Sequence, residues 1–442
     1  MNTFDVRTFG CQMNKHDSER IAGLLLAMGL SHAPEGTAPD VVVFNTCCVR
    51  ENADGRLYGQ VASVKALKLA NPETLIAVGG CVGQRDGAAI VAGLPHVDVV
   101  FGTHNIGSLP ALLNAAAESR RPVVEVSDSS DGDFASDLPT EREHAWHAWV
   151  PITVGCDNFC TYCVVPYVRG RERSRTLDDV VTEIGRLITD GVVEVTLLGQ
   201  NVNSYGRDLY GEPRFAELLT AVAGTGIDRI RFTTSHPKDL SDATIEAMAT
   251  HPNIARYLHL PVQSGSDDVL KRMNRHYTQE AYLALVARLY AAMPDLALST
   301  DVIVGFPGET ESDFEKTMQV VEAARYDQAF TFIYSPREGT PAATMDDQIP
   351  REVAQPRFDR LVSAIQASAL AKSQAYVGTV QRVLVEGPSK RDAGVLAGRT
   401  SGNKMVHAVC PEGVTPTSLA GTFTDVEITD AQTWFLVGSV IT

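Results

Sequence analysis

The chain has 442 residues, of which 44% are hydrophobic and 21% charged, so it can bury sizeable cores and is neither disordered nor collagen-like. Its 38 Lys and Arg stand against 54 Asp and Glu, and the net charge of −16 counts against a non-specific polyanion binder. No apolar run approaches the roughly 18 residues that a membrane helix needs, and the first residues carry no signal-peptide pattern. We therefore expect a cytoplasmic protein that does not bind a membrane.

Residues 1–120 alternate short strands with helices, which predicts a small parallel α/β sheet. The predicted strands are Phe4–Phe9, Val41–Phe44, Leu75–Val78 and Val97–Phe101. The predicted helices are Lys15–Met28, Leu57–Leu69, Ala88–Ala92 and Ile106–Ala117. Residues 121–145 become acidic and rich in serine, glycine and proline, so we predict that they form a solvated linker.

Residues 146–372 contain strand candidates separated by helical stretches. The strands are predicted at Trp149–Val154, Val193–Leu198, Arg229–Thr234, Tyr257–Val262, Ala297–Val304 and Ala329–Ile333. The helices are predicted at Leu177–Thr189, Phe215–Ala223, Ala243–Met248, Ala281–Ala292 and Ser312–Ala324. These βα units are too few for a closed eight-stranded barrel, so the pattern predicts an open, partial (β/α)6 barrel.

Residues 373–442 have a different pattern, in which short strands are separated by glycine-rich turns. The predicted strands are Val380–Val385, Val395–Gly398, Val406–Val409 and Thr424–Ile428. Strands with this spacing predict a small β-barrel of the oligonucleotide-binding type. The fold class expected from the whole sequence is therefore α/β with a small all-β domain at the C-terminal end.

Eight cysteines in a large intracellular chain are better interpreted as metal ligands or reactive thiols than as disulfides. Cys156, Cys160 and Cys163 form a C-x3-C-x2-C motif at the end of the first barrel strand. Three thiolates can hold three irons of a cubane cluster and leave the fourth iron open, whereas ferredoxins use four cysteines. The alternative is a structural zinc site in which His147 is the fourth ligand.

Cys11, Cys47 and Cys81 each follow a predicted strand of the first domain. Because the carboxyl ends of parallel strands meet where such sheets bind ligands, we expect these thiols to converge on a second three-thiolate cluster. The alternative is that they are three buried structural cysteines. Cys48 should point away from the crevice, since neighbouring side chains on an extended chain face opposite ways. Cys410 is predicted to be a small buried side chain.

The C-x3-C-x2-C spacing is similar to that of radical S-adenosylmethionine (SAM) enzymes. The motifs at 8–14, 45–47 and 79–81 resemble the N-terminal motifs of the methylthiotransferase family. The resemblance covers essentially the whole chain and implies a flavodoxin-like N-terminal domain, a radical SAM core and a C-terminal TRAM domain. It also implies SAM and two 4Fe–4S clusters, the first on Cys11, Cys47 and Cys81 and the second on Cys156, Cys160 and Cys163.

Within this family, the stretches 11–14, 198–205 and 260–266 resemble the branch that modifies prenylated adenosine in tRNA. The resemblance implies radical methylthiolation of carbon 2 of N6-isopentenyl (dimethylallyl) adenosine at tRNA position 37, with two SAM used per product. A radical route suits this carbon, because no side-chain base at neutral pH could deprotonate it. The alternative substrates are a ribosomal-protein aspartate and threonylcarbamoyl-adenosine in tRNA. The alternative from another class is a non-catalytic iron–sulfur RNA-binding protein.

Further site residues are assigned from strand ends and from the resemblance. Candidate SAM contacts at the barrel mouth are Tyr162, Gln200, Asn201, Gln263, Ser264, Asp301 and Val304. Candidate RNA contacts, with a solvated surface as the alternative, are Arg169, Arg171, Arg173, Arg175, Lys390, Arg391, Arg399 and Lys404. Expected partners are the tRNA anticodon stem-loop, an electron donor such as flavodoxin or ferredoxin, and a sulfur source. We expect the protein to be a monomer.

Overall fold

The computed structural model describes residues 1–47, 51–127, 134 and 138–441, with side chains described outside 51–56. The prediction for Cys48 lies outside the described residues. Within these ranges, no helix has both the length and the apolar character needed to cross a bilayer.

A parallel sheet with the strand order β2-β1-β3-β4-β5-β6 forms the N-terminal part of the protein. Its strands are β1 (Thr3–Thr8), β2 (Ser31–His32), β3 (Val41–Thr46), β4 (Leu75–Gly79), β5 (Val99–Phe101) and β6 (Val123–Glu125). The helices are α1 (Gln12–Ala27), α2 (Glu51–Ser63), α3 (Lys65–Ala70), α4 (Gly80–Asp86), α5 (Ala88–Gly93) and α6 (Leu109–Ser119). This strand order is that of flavodoxin-like sheets with an added edge strand.

The central strand β3 explains why the sheet needs helices on both faces. Val41 and Val43 pack into one core, and Val42 and Phe44 into the other, so every side chain of the strand is buried. The helix predicted over Leu57–Leu69 is two helices, α2 and α3, and the short strands β2 and β6 were not predicted.

The described end of the predicted linker, residues 138–145, contacts α1 while part of it stays exposed to solvent. Arg20 donates a hydrogen bond to the carbonyl of Leu138 at 3.1 Å, and the Glu143 amide donates to the Glu19 carboxylate at 3.0 Å. A side chain at Gly23 would collide with the backbone of Pro139. The acidic composition predicted solvation, but this stretch also binds the helix through its backbone.

The central part is an open barrel of parallel strands built from two three-stranded sheets. The two sheets meet at one β-bridge, between Ile230 and Ile254. A short antiparallel pair of strands lies in the chain between the first and the second parallel strand of the barrel. The strands are β7 (His147–Pro151), β8 (Thr153–Val154), β9 (Arg173–Ser174), β10 (Glu194–Leu198), β11 (Arg229–Thr233), β12 (Tyr257–His259), β13 (Ala297–Val304) and β14 (Gln328–Ile333). The predicted partial barrel is confirmed, although its first strand is divided into β7 and β8.

Four of the helices around the barrel begin at side-chain caps. Thr176, Ser241, Thr278 and Thr310 each accept a hydrogen bond from the amide three residues ahead, which stabilises the first turn. The helices are α7 (Val165–Val168), α8 (Leu177–Thr189), α9 (Arg207–Tyr210), α10 (Phe215–Ala223), α11 (Asp242–Thr250), α12 (Asp267–Arg272), α13 (Gln279–Ala292), α14 (Glu311–Ala324) and α15 (Arg351–Gln374).

The last strands close into a small barrel in the order β15-β16-β17-β19-β18. They are β15 (Val380–Pro388), β16 (Val395–Arg399), β17 (Met405–Val409), β18 (Phe423–Ala431) and β19 (Phe435–Val440). The predicted small β-barrel is confirmed, but the strand β19 was not predicted.

Candidate functional site

Cys11, Cys47 and Cys81 lie at the carboxyl ends of β1, β3 and β4, which are neighbours in the sheet. The strand order reverses between β1 and β3, and ligands of such sheets bind in the crevice at this point. The thiols of Cys11 and Cys47 are hydrogen-bonded to each other. Gly10 has a φ of +126°, and a side chain there would collide with Cys47. The glycine therefore permits the close approach of these two cysteines.

A buried arginine from the barrel completes the surroundings of this first triad. The Arg169 guanidinium donates to the Asp17 carboxylate at 2.9 Å, and both side chains are 5% exposed. Arg169 also interacts electrostatically with Cys81 and Cys11. The hydrogen bond with Cys47, assisted by the charge of Arg169, lowers the pKa of Cys11 to about 6 against the opposing effect of burial. The surroundings of Cys11 therefore favour the thiolate form that binds a metal.

The second triad, Cys156, Cys160 and Cys163, occupies the loop after β8. The amide of Cys163 donates to the carbonyl of Cys160 at 2.9 Å, which turns the loop back on itself. Burial raises the pKa of Cys156 to about 11 and that of Cys163 to about 12, and the neighbouring Cys160 adds to both shifts. Arg275 lies 3.6 Å from the Cys160 sulfur and is buried.

One short segment, residues 169–172, contacts both triads. The side chain of Arg169 reaches the first triad, and the carbonyl of the next residue, Gly170, accepts from the Cys156 amide at 3.2 Å. Gly155, before Cys156, has a φ of +80°, and a side chain there would collide with the carbonyl of Arg171. This backbone contact fixes the spacing between the two groups of thiols.

The geometry does not support the alternative of a single zinc ion. Among the described residues, no three His, Cys, Asp or Glu side chains are placed to hold one metal ion. His147 begins β7, at the opposite end of the barrel from Cys156, and its Nε2 lies 3.0 Å from the Thr196 hydroxyl. Three thiolates that bind different irons of a cubane do not need to converge on one ion.

Unpartnered polar atoms surround the mouth of the barrel. Most of the buried side-chain atoms with no hydrogen-bond partner in the described part of the chain lie here, on Thr153, Asn201, Asn203, Thr234, Ser235, Gln263 and Tyr334, whereas those of Tyr205 and His407 lie elsewhere. The residues at the mouth lie at or just beyond the carboxyl ends of β8, β10, β11, β12 and β14. Buried polar groups are normally paired, so a ring of free ones at strand ends fits a polar ligand that bonds them.

The predicted SAM contacts occupy different environments. The Tyr162 ring packs edge-on against Phe306, with centroids 6.4 Å apart. Asn201 donates to Asp239 at 2.7 Å through its amide and leaves its carbonyl oxygen free, and Gln263 adopts a φ of +65°.

The other predicted SAM contacts differ in how far their side chains are exposed. Asp301 and Gln200 are half-buried, and the Asp301 carboxylate lies 3.5 Å from Nε2 of His259. Ser264 and Val304 have no exposed surface. Their side chains are buried like that of Asn201, which is 1% exposed, and the SAM contacts of Ser264 and Val304 stay predictions.

Three of the predicted RNA contacts are buried inside the protein. Arg169 pairs with Asp17, Arg175 pairs with Glu183, and Lys404 lies 3.1 Å from Asp327. Their charges are neutralised by carboxylates and are not exposed to RNA, which corrects the prediction for Arg169, Arg175 and Lys404. Lys390, Arg391 and Arg171 are exposed, whereas Arg173 and Arg399 are half-buried.

A polar cavity of about 120 Å3 next to the cysteine loop was not predicted. Glu172, Ser204 and Lys238 contribute to its lining. The Ser204 hydroxyl donates to Glu172 at 2.6 Å, and burial raises the pKa of Glu172 to about 7. The signal in the sequence was a lone acidic residue between the arginines 171 and 173.

The small C-terminal barrel packs against the amino-terminal ends of the strands of the large one. Arg229 and Arg231 of β11 donate to the carbonyls of Arg399 and Thr400 at 3.0 and 2.8 Å. The C-terminal domain is therefore at the end of the barrel opposite to the cysteine loop.

Three family models match successive parts of the chain. They are described as the uncharacterized protein family UPF0004 over residues 3–102, the Radical SAM superfamily over 150–321, and the TRAM domain over 374–441. The match to the Radical SAM superfamily confirms the predicted cofactor class, a 4Fe–4S cluster with SAM, and the methylthiotransferases of the family carry two clusters.

Solved structures share the fold at low sequence identity. The radical SAM methyltransferase TsrM from Kitasatospora setae, with a tryptophan substrate and a SAM analogue bound, matches with a TM-score of 0.55 and 14% identity over 77% of this chain and 74% of that chain. The same methyltransferase with cobalamin and a 4Fe–4S cluster bound has the same score and identity and covers 78% of this chain and 77% of that chain.

Curated relatives are similar over nearly their full length. The tRNA-2-methylthio-N(6)-dimethylallyladenosine synthase of Thermobifida fusca is 50% identical over 98% of this chain and 88% of its own length. The proteins of the same name from Acidothermus cellulolyticus and Clostridium botulinum are 54% and 47% identical, over 92% and 99% of this chain and 82% and 97% of their own lengths. With such identity over both lengths and the motifs in the predicted order, the chain belongs to the tRNA-2-methylthio-N(6)-dimethylallyladenosine synthase family of radical SAM methylthiotransferases.

Proposed function

We propose that this protein transfers a methylthio group to carbon 2 of N6-isopentenyl adenosine at position 37 of tRNA, with two SAM used per product. The observation that carries the proposal is the pair of cysteine triads at the carboxyl ends of two neighbouring β-sheet domains, joined by residues 169–172. The names of the relatives support the reaction, and a C-terminal domain of the TRAM type supports an RNA substrate.

The two clusters would be held by different triads. Cys11, Cys47 and Cys81 would hold the cluster that carries sulfur, and Cys156, Cys160 and Cys163 the cluster that binds SAM. The second cluster would supply one-electron chemistry on SAM, which gives a radical able to remove hydrogen from an unactivated carbon. Each triad has three cysteines, so one iron of each cluster would be left for an external ligand.

The ring of free polar atoms at the strand ends would receive SAM and the target base. Asn201 and Gln263 each present a buried oxygen without a partner in the described part of the chain, and both belong to the stretches that resemble the family. Tyr162, between two cluster cysteines, would pack near the SAM adenine. Phe306 holds the ring of Tyr162 from the other side, which fixes its position before the ligand binds.

The RNA would have to extend along the outside of the barrel. The strand β13 is 8 residues long, so the mouth lies about 26 Å from the end that carries the C-terminal domain. Lys390 and Arg391 are exposed on that domain and could contact phosphates while the anticodon loop reaches the mouth. A stem-loop is long enough to touch both places.

We also propose the domain boundaries 1–120, 121–145, 146–372 and 373–442, and a monomer that receives electrons from a flavodoxin or ferredoxin and sulfur from a separate source. The helix α15 spans the third boundary and packs on β14, so it would connect the radical core to the C-terminal domain. The cofactor chemistry requires both an electron and a sulfur atom, which explains why both partners are needed.

The test is nucleoside mass spectrometry after incubation of the anaerobically reconstituted protein with SAM, dithionite, sulfide and tRNA. The 2-methylthio derivative should form on tRNA that carries N6-isopentenyl adenosine and not on the same tRNA without the isopentenyl group. Threonylcarbamoyl-adenosine tRNA and a ribosomal-protein peptide serve as alternative substrates. Product on either of these, and none on the isopentenyl tRNA, would overturn the proposal.

A further inference from the structure

Two exposed aromatic rings lie beside the cysteine loop at the mouth of the barrel. Phe159 directly precedes Cys160 and is 39% exposed, and Tyr167 on α7 is 56% exposed. Their ring centroids are 6.5 Å apart with an interplanar angle of 81°. Large aromatic side chains usually contribute to a core, so two in contact at the surface mark a possible contact surface for a ligand.

The backbone holds Phe159 in an unusual conformation. Its φ is +47°, a value that bulky residues rarely adopt and that is retained mainly at functional positions. The amide of Asn274 donates to the carbonyls of Phe159 and Asn158 at 3.0 and 3.3 Å, which maintains this turn. The exposed ring is therefore held in place by the second half of the barrel.

Two positively charged side chains lie beside the aromatic rings. The guanidinium carbon of Arg171 lies 5.6 Å from the centroid of the Phe159 ring. Asp157 accepts two hydrogen bonds from Arg171, at 2.7 and 2.9 Å, which fixes the plane of the guanidinium while 73% of the side chain stays exposed. Lys238 adds a second cation beside Asn158, at 2.7 Å from its side-chain oxygen.

We propose that Phe159, Tyr167 and Arg171 form a stacking site for an unpaired base of the RNA loop, next to the base that enters the barrel. This inference rests on the proposed function. Single-stranded RNA is recognised by stacking of splayed bases on aromatic rings and on arginine planes, with nearby cations for the phosphates. A target base that leaves its stack exposes a neighbouring base, and the aromatic pair lies beside the cysteine loop, next to the mouth that the target base would enter.

The test measures binding of an anticodon stem-loop RNA to the reconstituted protein by fluorescence anisotropy. Tyr167→Ala should raise Kd about tenfold, because stacking of one base contributes on the order of 1–3 kcal/mol. Tyr167→Phe keeps the ring and should bind as the wild type does. Tyr210→Ala is the matched control, since Tyr210 is 38% exposed and carries Arg214 at 4.5 Å from its ring centroid.

A second RNA with an abasic nucleotide beside the target should bind the wild type about tenfold more weakly and should lose nothing further in Tyr167→Ala. Additive losses, or wild-type affinity of Tyr167→Ala, would overturn the stacking site. So would a fall only in SAM cleavage without RNA, which would assign the rings to SAM, or only in the rate of reduction by flavodoxin, which would assign them to the electron donor. If the wild type itself neither bound nor modified the RNA, the proposed function would fail together with this site.

Discussion

The two cysteine triads have the same number of thiols but opposite electrostatic settings. In the first, the pKa of Cys11 is lowered to about 6, whereas in the second the pKa values of Cys156 and Cys163 are raised to about 11 and about 12. The difference follows from position. Cys11 occupies the N-cap position of α1 and shares a hydrogen bond with Cys47 that outweighs the effect of burial. At Cys156 and Cys163, burial outweighs the hydrogen bonds that favour the thiolate.

This contrast shows that the spacing of the cysteines in the sequence does not determine whether the protein environment raises or lowers the pKa of their thiols. In the first triad, the lowered pKa of Cys11 favours the thiolate that a metal ligand needs. In the second triad, the raised pKa values of Cys156 and Cys163 mean that iron must displace their protons as it binds. The two triads therefore provide the same number of ligands from different thiol environments.

The largest expected effect comes from removing each triad in turn. Replacing Cys156, Cys160 and Cys163 by alanine should remove about half of the seven to eight irons of the loaded protein and abolish 5′-deoxyadenosine formation. Replacing Cys11, Cys47 and Cys81 should also remove about half of the iron but leave SAM cleavage intact and block the methylthio product. Iron analysis, 5′-deoxyadenosine assay and nucleoside mass spectrometry of both variants would separate the two roles.

A methylthiolated product from the variant without Cys11, Cys47 and Cys81 would contradict the assignment of sulfur transfer to the first triad. Formation of 5′-deoxyadenosine by the variant without Cys156, Cys160 and Cys163 would show that the SAM-binding cluster is elsewhere. Cys410→Ala is the matched control, because Cys410 is half-buried against the core of the C-terminal barrel.

The second expected effect is a difference in the pH dependence of alkylation in the iron-free protein. A thiol reacts as the thiolate, so the rate at Cys11 should fall below its pKa of about 6 and level off above pH 7. At Cys156, whose pKa is about 11, the rate should still rise between pH 7 and 10, by about tenfold per unit. Peptide mass spectrometry after timed iodoacetamide labelling gives both profiles. Parallel profiles at the two cysteines would contradict the contrast.

The third expected effect concerns Arg169, which belongs to the barrel domain and interacts electrostatically with Cys81 and Cys11 of the first triad. Arg169→Met removes the guanidinium from the buried Asp17 carboxylate and leaves only the His16 imidazole beside it, at 3.3 Å, and breaking such a buried ion pair costs about 3–5 kcal/mol of unfolding free energy. The iron of the first triad should be lost with it, which is best measured in the variant without Cys156, Cys160 and Cys163. Arg171→Met is the control, because its ion pair with Asp157 is exposed and contributes less than about 1 kcal/mol.

The sequence was sufficient for the cysteines but not for the arginines around them. The positions of Cys11, Cys47 and Cys81 followed from the rule that parallel strands end at one edge, and the structure places them there. Arg169 belonged to a run of four arginines that predicted a basic surface, yet it is inserted between two domains. Whether a charge in a run is exposed depends on packing between distant segments, and no local pattern records that.

Two further elements, the helix α15 and the strand β19, were not predicted from the sequence for a similar reason. The helix α15 has only Leu361 and Ile365 as large buried apolar side chains, and Pro356 lies inside it, so its apolar stripe is weak. It is stabilised by packing on β14, which the sequence does not reveal. The strand β19 closes the small barrel by pairing with β17, from which β18 separates it in the chain, and pairing between non-consecutive strands cannot be seen in a short window.

The smallest expected effect concerns Arg275, the buried arginine of the second triad. Unlike Arg169, it faces the carbonyl of Pro261 at 2.8 Å, the hydroxyl of Tyr277 at 3.0 Å and the Cys160 sulfur. Arg275→Met therefore removes one hydrogen bond from the Pro261 carbonyl, which keeps a longer one from the Tyr277 hydroxyl at 3.4 Å, and the loss should cost about 0.5–1.5 kcal/mol. Among the contacts described for Arg275, no buried carboxylate loses its partner. Chemical denaturation of the iron-free proteins should thus rank Arg169→Met as less stable than Arg275→Met. The reverse order would mean that the second triad depends more on its arginine than the first, and that the electrostatic contrast between the triads does not extend to the cations beside them.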